Sequence, residues 1–271
     1  MYDAIDHGVR SVEADLWWDS DAKEFYVAHT AVTIDHSKTF KHLTLDRIMG
    51  VLNGTHSGGP YQSGSAQRFL DAAKGKETHN PDWYSYYAYG FGGVRPIQLL
   101  VEIKSNDGSD SWPHVVSALE PFRKRGWLTR YENGKIHYGP LIVVGTGGTP
   151  FNQIAPRHKR DVFWDCHLGG LNGTTNIDGT EYHYNSTVCP MSSTSFATEV
   201  KGFLGLRPVP EAARKKCRAD IVQAHKAGST TRFYGVVRFP PVSKYRDNNA
   251  LVEEGTDWLN LDDLQDASKY S

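Results

Sequence analysis

Apolar and polar residues alternate along "SVEADLWW", from Ser11 to Trp18. On a strand, Val12, Ala14, Leu16 and Trp18 share one face, and Glu13, Asp15 and Trp17 share the other. A polar turn, "DSDAKE", leads to a second short run, "FYVAHT", which His29 nearly closes. Ahead of the first run, Tyr2, Ala4 and Ile5 fit the last turns of an amphipathic helix capped by Gly8. That start predicts that a preceding strand and loop lie outside this sequence. Further on, Leu45, Ile48, Met49 and Leu52 recur at helical spacing in "TLDRIMGVLNG", with Thr44 as its N-cap.

From about residue 55 to 94 the pattern breaks into a Gly-, Ser-, Tyr- and His-rich stretch. It holds one short helical segment, "AQRFLDAAKG", and reads as a loop insertion. Order returns with "RPIQLLVEIKS", whose continuous apolar centre suits a buried parallel strand. The helix "SWPHVVSALEPFRKRGW" follows, interrupted at Pro121. Then come the strand "GPLIVVGTGG", a short helix near "PFNQIA" and the strand "RDVFWDCH". A weak helix is expected around "SFATEVKGFLG". The longest helix, "PEAARKKCRADIVQAHKAG", has Pro210 at its start and Gly228 at its end. The strand-like "RFYGVVRFP", the helix "NNALVEEG" and "TDWLNLDDLQDASKY" close the chain. Repeated strand–helix units predict an α/β fold of parallel strands. Their number fits a (β/α)8 TIM barrel without its first strand, one domain over 1–271. A doubly wound sheet is the alternative, but "GTGGTP" has neither the G-x-G-x-x-G spacing nor a phosphate-loop lysine. It reads as a plain turn at a strand end.

Composition narrows the function classes. The 271 residues carry a formal net charge of -1, which gives no electrostatic case for nucleic acid or an acidic membrane surface. No run is long enough to span a membrane, and no signal peptide is visible at the start. A monomer is expected. With 7 Trp and 14 Tyr, aromatics suit a protein that handles sugars or lipids, or simply fill its core. The three cysteines, Cys166, Cys189 and Cys217, lack metal-site spacing, so one disulfide and one free thiol are expected, with the pairing open. Sequons at Asn53, Asn172 and Asn185 are candidate glycosylation sites and point weakly to the secretory route.

Chemistry enters with the strand ends, where a barrel of this type keeps its site. Those ends offer Glu13 and Asp15, His29, Glu102 and Lys104, Asp165 and His167, Asn185, Arg238, and Asn260 with Asp262. E-x-D on one strand and E-x-K on another fit, taken singly, a solvated face and a local ion pair. Together they place Glu13, Asp15 and Glu102 as hard oxygen ligands for Mg2+ or Ca2+. Lys104 supplies positive charge for a phosphate oxygen, and His29 supplies proton transfer. The set suits cleavage of a phosphodiester.

"SVEADLWW…FYVAHT", "LLVEIKSN", "LIVVGTGGTPF", "DVFWDCHL" and "FYGVVRFP…LVEEGTDWLNLDDL" occur in an order that resembles the phospholipase C-like phosphodiesterase superfamily. Within it they are most similar to the fungal family called altered inheritance of mitochondria protein 6. Glycerophosphodiester phosphodiesterases and sphingomyelinase D are relatives. The resemblance implies metal ligation by Glu13, Asp15 and Glu102, with Lys104 beside them. It implies a catalytic role for His29 and a substrate-side place for Trp258. The implied activity is metal-dependent hydrolysis of a lipid-derived or glycerophosphodiester substrate. The family pattern also has a first histidine in an H-N-D-Y-like stretch upstream of the opening helix. His7 does not replace it, because it falls on the helix before Gly8. This chain by itself is therefore expected to bind the ion but turn over slowly or not at all. A rival reading makes it a lipid- or glycan-binding module, with Trp83, Tyr84, Tyr86, Tyr87 and Tyr89 as the binding surface. A third, a glycoside hydrolase, has carboxylates and aromatic platforms, but Lys104 and His29 argue against it.

Overall fold

The computed structural model describes the chain except residues 57–60, 62, 63, 106, 172, 201–206, 237–240 and 271. Asn172 and Arg238 lie outside the described residues, as does part of the helix expected around "SFATEVKGFLG". The chain divides into two compact units. The first comprises residues 1–80, 85–164 and 263–271; the second comprises 81–84 and 165–262.

In the first unit, helix α1 (Tyr2–Asp6) ends where the Gly8 N–H donates to Ile5 O at 2.9 Å. Gly8 adopts a φ of 82°, the left-handed conformation that lets the chain reverse there. Strand β1 (Ser11–Asp19) follows, and β2 (Glu24–Val27) folds back on it, antiparallel, from Leu16↔Val27 to Asp19↔Glu24. Helix α2 (Asp46–Asn53) is entered through a π-helical turn, Lys41–Leu45. Thr44 is buried inside that turn, so it does not cap α2, contrary to the expectation from its position. The wider turn uses up the residues that an N-cap would need.

Strand β3 (Ile97–Ile103) pairs in parallel with β1, and helix α3 (Gly108–Ala118) follows it. Pro121 falls in the first turn of a separate four-residue helix, Glu120–Arg123, where its missing N–H costs nothing. Strand β4 (Leu141–Gly147) pairs in parallel with β3 along its whole length. Strand β5 (Phe163–His167) begins beside β4, through Val144↔Phe163 and Gly145↔Trp164. Alternation decides what is buried. Ala14 and Leu16 of β1, and Ile97, Leu99, Val101 and Ile103 of β3, join Ile48, Val51 and Leu52 of α2 and Trp112 and Val115 of α3 in one core. At about 25 cal/mol per Å2 of apolar surface removed from water, this face dominates the first unit's stability.

The stretch read as a loop insertion is partly ordered. It forms helices Ser65–Ala73 and Trp83–Tyr89 and the short strand Glu77–Thr78. Trp83, Tyr86 and Tyr87 are buried, while Tyr84 and Tyr89 stay 54% and 65% exposed. The Tyr86 hydroxyl donates to Gly139 O at 2.6 Å. Its aromatics are therefore largely core, not surface.

In the second unit, the rest of β5 pairs in parallel with β6 (Met191–Ser195). Helix α4 (Glu211–Lys226) buries Cys217, Ile221 and Ala224 along one stripe. Strand β7 (Thr230–Tyr234) pairs with β6, and helix α5 (Pro241–Glu254) leads on to β8 (Trp258–Leu259), which pairs with β7. Arg214 and Arg218 of α4 each contact the Glu254 carboxylate of α5 at 2.6 Å. Cys166 and Cys189 form a disulfide, and Cys217 is a buried thiol whose pKa burial pushes up to about 11. Parallel strands joined by helices thus recur in both units, and the protein is of the mixed α/β class.

Candidate metal centre

The parallel register of β1 and β3 sets the Asp15 and Glu102 backbones side by side. Their apolar neighbours, Leu16 and Ile103, go into the core. Period-2 alternation therefore turns Asp15 and Glu102 to the opposite face, with Glu13 two residues earlier on the same side. Each of the three carboxylates presents an oxygen within 4.8 Å of the others. Glu13 is exposed, and Asp15 and Glu102 are half-buried.

Lys104 reaches into this cluster. Its ammonium lies 2.8 Å from Glu102 Oε2 and 3.7 Å from Asp15 Oδ1. Burial pulls the lysine's pKa down. The hydrogen bond to Glu102 and the charges of Glu102, Asp15 and Glu13 outweigh that and hold it above its ordinary value. Three carboxylates and one ammonium leave two formal negative charges in a small volume.

His29 arrives from the hairpin. The Ala28 N–H donates to Asp15 O at 3.1 Å, and the Trp17 indole N–H donates to Ala28 O at 2.8 Å. These two bonds pin the end of the hairpin over β1. They bring His29 Nδ1 to 3.3 Å from Asp15 Oδ2, with the imidazole 80% exposed.

The donor set suits a hard divalent cation. All three candidate ligands are carboxylate oxygens, and their surplus charge matches a dication. Ca2+, at roughly 2.3–2.6 Å from each oxygen, admits the observed spread, whereas Mg2+, at roughly 2.0–2.1 Å, needs the side chains to draw slightly closer.

The turn after β4 contributes in a way its sequence concealed. Gly147 has a φ of 59°. A Cβ there would meet Glu102 Cγ at 2.6 Å and Glu102 Oε1 at 3.1 Å. Glycine at this position is what leaves room for the Glu102 carboxylate. "GTGGTP" signals a turn, but what lies beneath the turn depends on pairing between distant strands. Trp17 gave no signal either, since its role is a hydrogen bond across the hairpin.

The remaining candidates fall elsewhere. Trp258 lies in the second unit, where its indole N–H donates to Thr230 Oγ1 at 3.0 Å. Asp165 is buried there and accepts a hydrogen bond from Ser193 Oγ. Asn260 accepts from the buried Arg232 at 3.1 Å. Asn53 and Asn185 are both exposed, and each carboxamide oxygen accepts a backbone N–H two residues on, from Thr55 and Thr187.

An α/β protein with three converging carboxylates beside a strand lysine is the class these features define. The chain belongs to the family of the AIM6-like phosphodiesterase domain, which matches residues 1–78 and 86–165. Those segments contain Glu13, Asp15, His29, Glu102 and Lys104. The chain is similar to "Altered inheritance of mitochondria protein 6 homolog" of Arthroderma benhamiae, 28% identical over 98% of this chain and 76% of that protein. It is similar also to "Altered inheritance of mitochondria protein 6" of Eremothecium gossypii, 23% identical over 100% of this chain and 66% of that protein. The protein of the same name from Kluyveromyces lactis is 25% identical over 100% of this chain and 68% of its own length. The chain thus spans between about two thirds and three quarters of these relatives. No solved structure matches it.

Proposed function

We propose that this chain carries the catalytic centre of a metal-dependent phosphoric diester hydrolase acting on a lipid-derived or glycerophosphodiester substrate. The observation that carries this reading is the convergence of Glu13, Asp15 and Glu102 around Lys104, with His29 on Asp15. Membership of the AIM6-like phosphodiesterase domain family supports it. Glu13, Asp15 and Glu102 hold Mg2+ or Ca2+. A bound ion of this kind supplies polarisation of the phosphoryl group. Lys104 takes up the charge that develops on a phosphoryl oxygen. Asp15 orients the His29 ring through Nδ1, which leaves Nε2 to move a proton at the attacked phosphodiester. On this reading the scaffold is a (β/α)8-type barrel, and the protein works as a monomer.

The Cys166–Cys189 disulfide supports an oxidising compartment, and with exposed Asn53 and Asn185 it favours a secretory route with glycosylation. Among the described residues no helix is long and apolar enough to cross a membrane. A non-catalytic lipid- or glycan-binding module remains the rival. Burial of Trp83, Tyr86 and Tyr87 removes most of the surface it relied on.

The test has two parts. Calorimetry with Mg2+ and Ca2+ on this chain should show one site, lost in Glu13→Gln, Asp15→Asn or Glu102→Gln and kept in His29→Ala. Product release from glycerophosphodiesters, lysophospholipids and sphingomyelin should then be measured with and without chelator. The protein for this assay includes any coding sequence in frame upstream of Met1. Chelator-sensitive turnover that His29→Ala removes is expected. A protein that binds the ion, stays inert on every substrate and still retains lipid or glycan would establish the binding module instead.

A further inference from the structure

A cavity lies in the first unit, built from residues that the acidic centre does not use. Its volume is about 600 Å3, within the range of sites for small organic ligands. Helix α3, the strand Arg130–Glu132 and the segment from Gln153 to Val162 provide most of its walls. None of its lining residues belongs to the carboxylate cluster. Leu128, in its wall, bridges to Leu141, the first residue of β4. Glu102 instead sits level with Thr146, near that strand's end.

Charge in this cavity is one-sided. Arg123, Arg130, Arg157, Lys159 and Arg160 line it, against the carboxylates of Glu132 and Asp161. Those two carboxylates are already engaged. Asp161 accepts two bonds from Arg123, at 2.5 and 3.0 Å. Glu132 is shared between Lys159 at 2.8 Å and Arg130 at 3.2 Å. Arg157 donates to the backbone oxygen of Gln153 at 2.8 Å, and among the described residues no carboxylate partners it. Arg160 is buried and lies over the Tyr131 ring at 4.1 Å. Burial draws its pKa down to about 10, against the pull of Tyr131. Arg160 also donates to the Arg157 backbone oxygen at 2.9 Å, while Arg157 and Lys159 are exposed. An anion entering the cavity therefore meets cationic groups that are open to it, arranged on one wall.

The remaining wall is apolar. Trp112, Val116, Leu128 and Val162 face the same space. One part of a ligand would therefore be held by charge and another by burial. Guanidinium forks favour phosphate over a point anion such as chloride, because two N–H groups meet two oxygens at once.

The geometry points to a binding site for a small phosphate monoester whose organic part is compact and apolar, separate from the acidic centre. The phosphate lies against Arg157, Lys159 and Arg160, and the organic group lies against Trp112 and Leu128. The inference does not rest on the hydrolase reading, because none of its residues belongs to that centre.

Phenyl phosphate is the probe, titrated calorimetrically into the full chain with chelator present, alongside inorganic phosphate. One phenyl phosphate per chain is expected, bound at least about tenfold more tightly than phosphate alone, as burial of the ring requires. Arg157→Gln and Lys159→Gln should each weaken it by about tenfold. The Glu13→Gln/Asp15→Asn double variant should bind it as the parent does. Equal affinity for the two probes would overturn the proposal, as would unchanged binding in Arg157→Gln. Loss of binding in the double variant would place the anion at the acidic centre and would also overturn it. Capture on vesicles containing phosphatidic acid, without binding of phenyl phosphate, would assign the charge to a lipid surface and reject the small ester.

Discussion

Lys104 shows how much one side chain can decide. Its ammonium stands among three carboxylates and neutralises part of their mutual repulsion. Lys104→Ala should therefore have two opposite effects. Turnover should fall by at least about 100-fold, since a charge that stabilises the phosphoryl oxygen is gone. Affinity for the divalent ion should rise, since the cluster keeps its carboxylates and loses its internal cation. Calorimetry and a chelator-sensitive assay on the same preparation would separate them, and weaker ion binding would contradict this account. His225 links stability to pH. His225 Nε2 lies 2.8 Å from Asp257 Oδ2, and that hydrogen bond raises its pKa above the ordinary 6.5, with burial opposing. Because the folded value exceeds the unfolded one, the contribution is fully present below 6.5 and is lost as pH climbs through the raised value. The melting temperature should fall across that window, and His225→Gln should flatten the slope. The effect is modest, because the imidazole is 42% exposed and solvent screens the pair.

The elements explain which parts of the site were legible. The alternation of β1 gave the shared face of Glu13 and Asp15 directly, because a half-buried strand writes its period of two into the sequence. Glu102 and Lys104 followed from the same logic on β3. That β1 and β3 are neighbours, with Asp15 level with Glu102, is a matter of register and left no local trace. For the same reason the "GTGG" turn read as punctuation, although Gly147 shapes the space around Glu102. The aromatic run near Tyr86 admitted a rival reading as a binding surface, but a helix carries much of it inward and Tyr86 bonds to Gly139 O. Gly147→Ala tests the turn. It forces a Cβ into a left-handed residue and onto Glu102, at a cost of about 1–3 kcal/mol. Ion affinity should drop by about tenfold while the far-UV circular dichroism spectrum stays unchanged. Wild-type affinity in this variant would show that Glu102 is placed by its own strand alone.

At the scale of the molecule, the candidate centre and the disulfide belong to different compact units. Glu13, Asp15, His29, Glu102 and Lys104 fall in the first, and Cys166 with Cys189 in the second. The pairing of Cys166 with Cys189 could not be read from three cysteines, since each pair was equally open on count alone. Burial of Cys217 within the α4 stripe removed it from the choice. The disulfide closes a segment with a sequence separation of 23. A loop of that length withholds entropy from the unfolded chain worth about 3 kcal/mol. The Cys166→Ala/Cys189→Ala double variant should therefore lower the stability of the second unit, which carries the Arg214–Glu254–Arg218 clasp and the strands around it. The candidate ligands of the first unit owe nothing to that bond. Their positions come from pairing of β1 with β3 and from the core beneath. Mg2+ or Ca2+ binding in the double variant should thus match the parent at temperatures below the onset of melting. Hydrogen exchange would show the loss of protection confined to the second unit. If ion binding disappears together with the disulfide, the two units fold as one cooperative block, and the centre depends on the whole chain rather than on β1, β3 and the turn at Gly147.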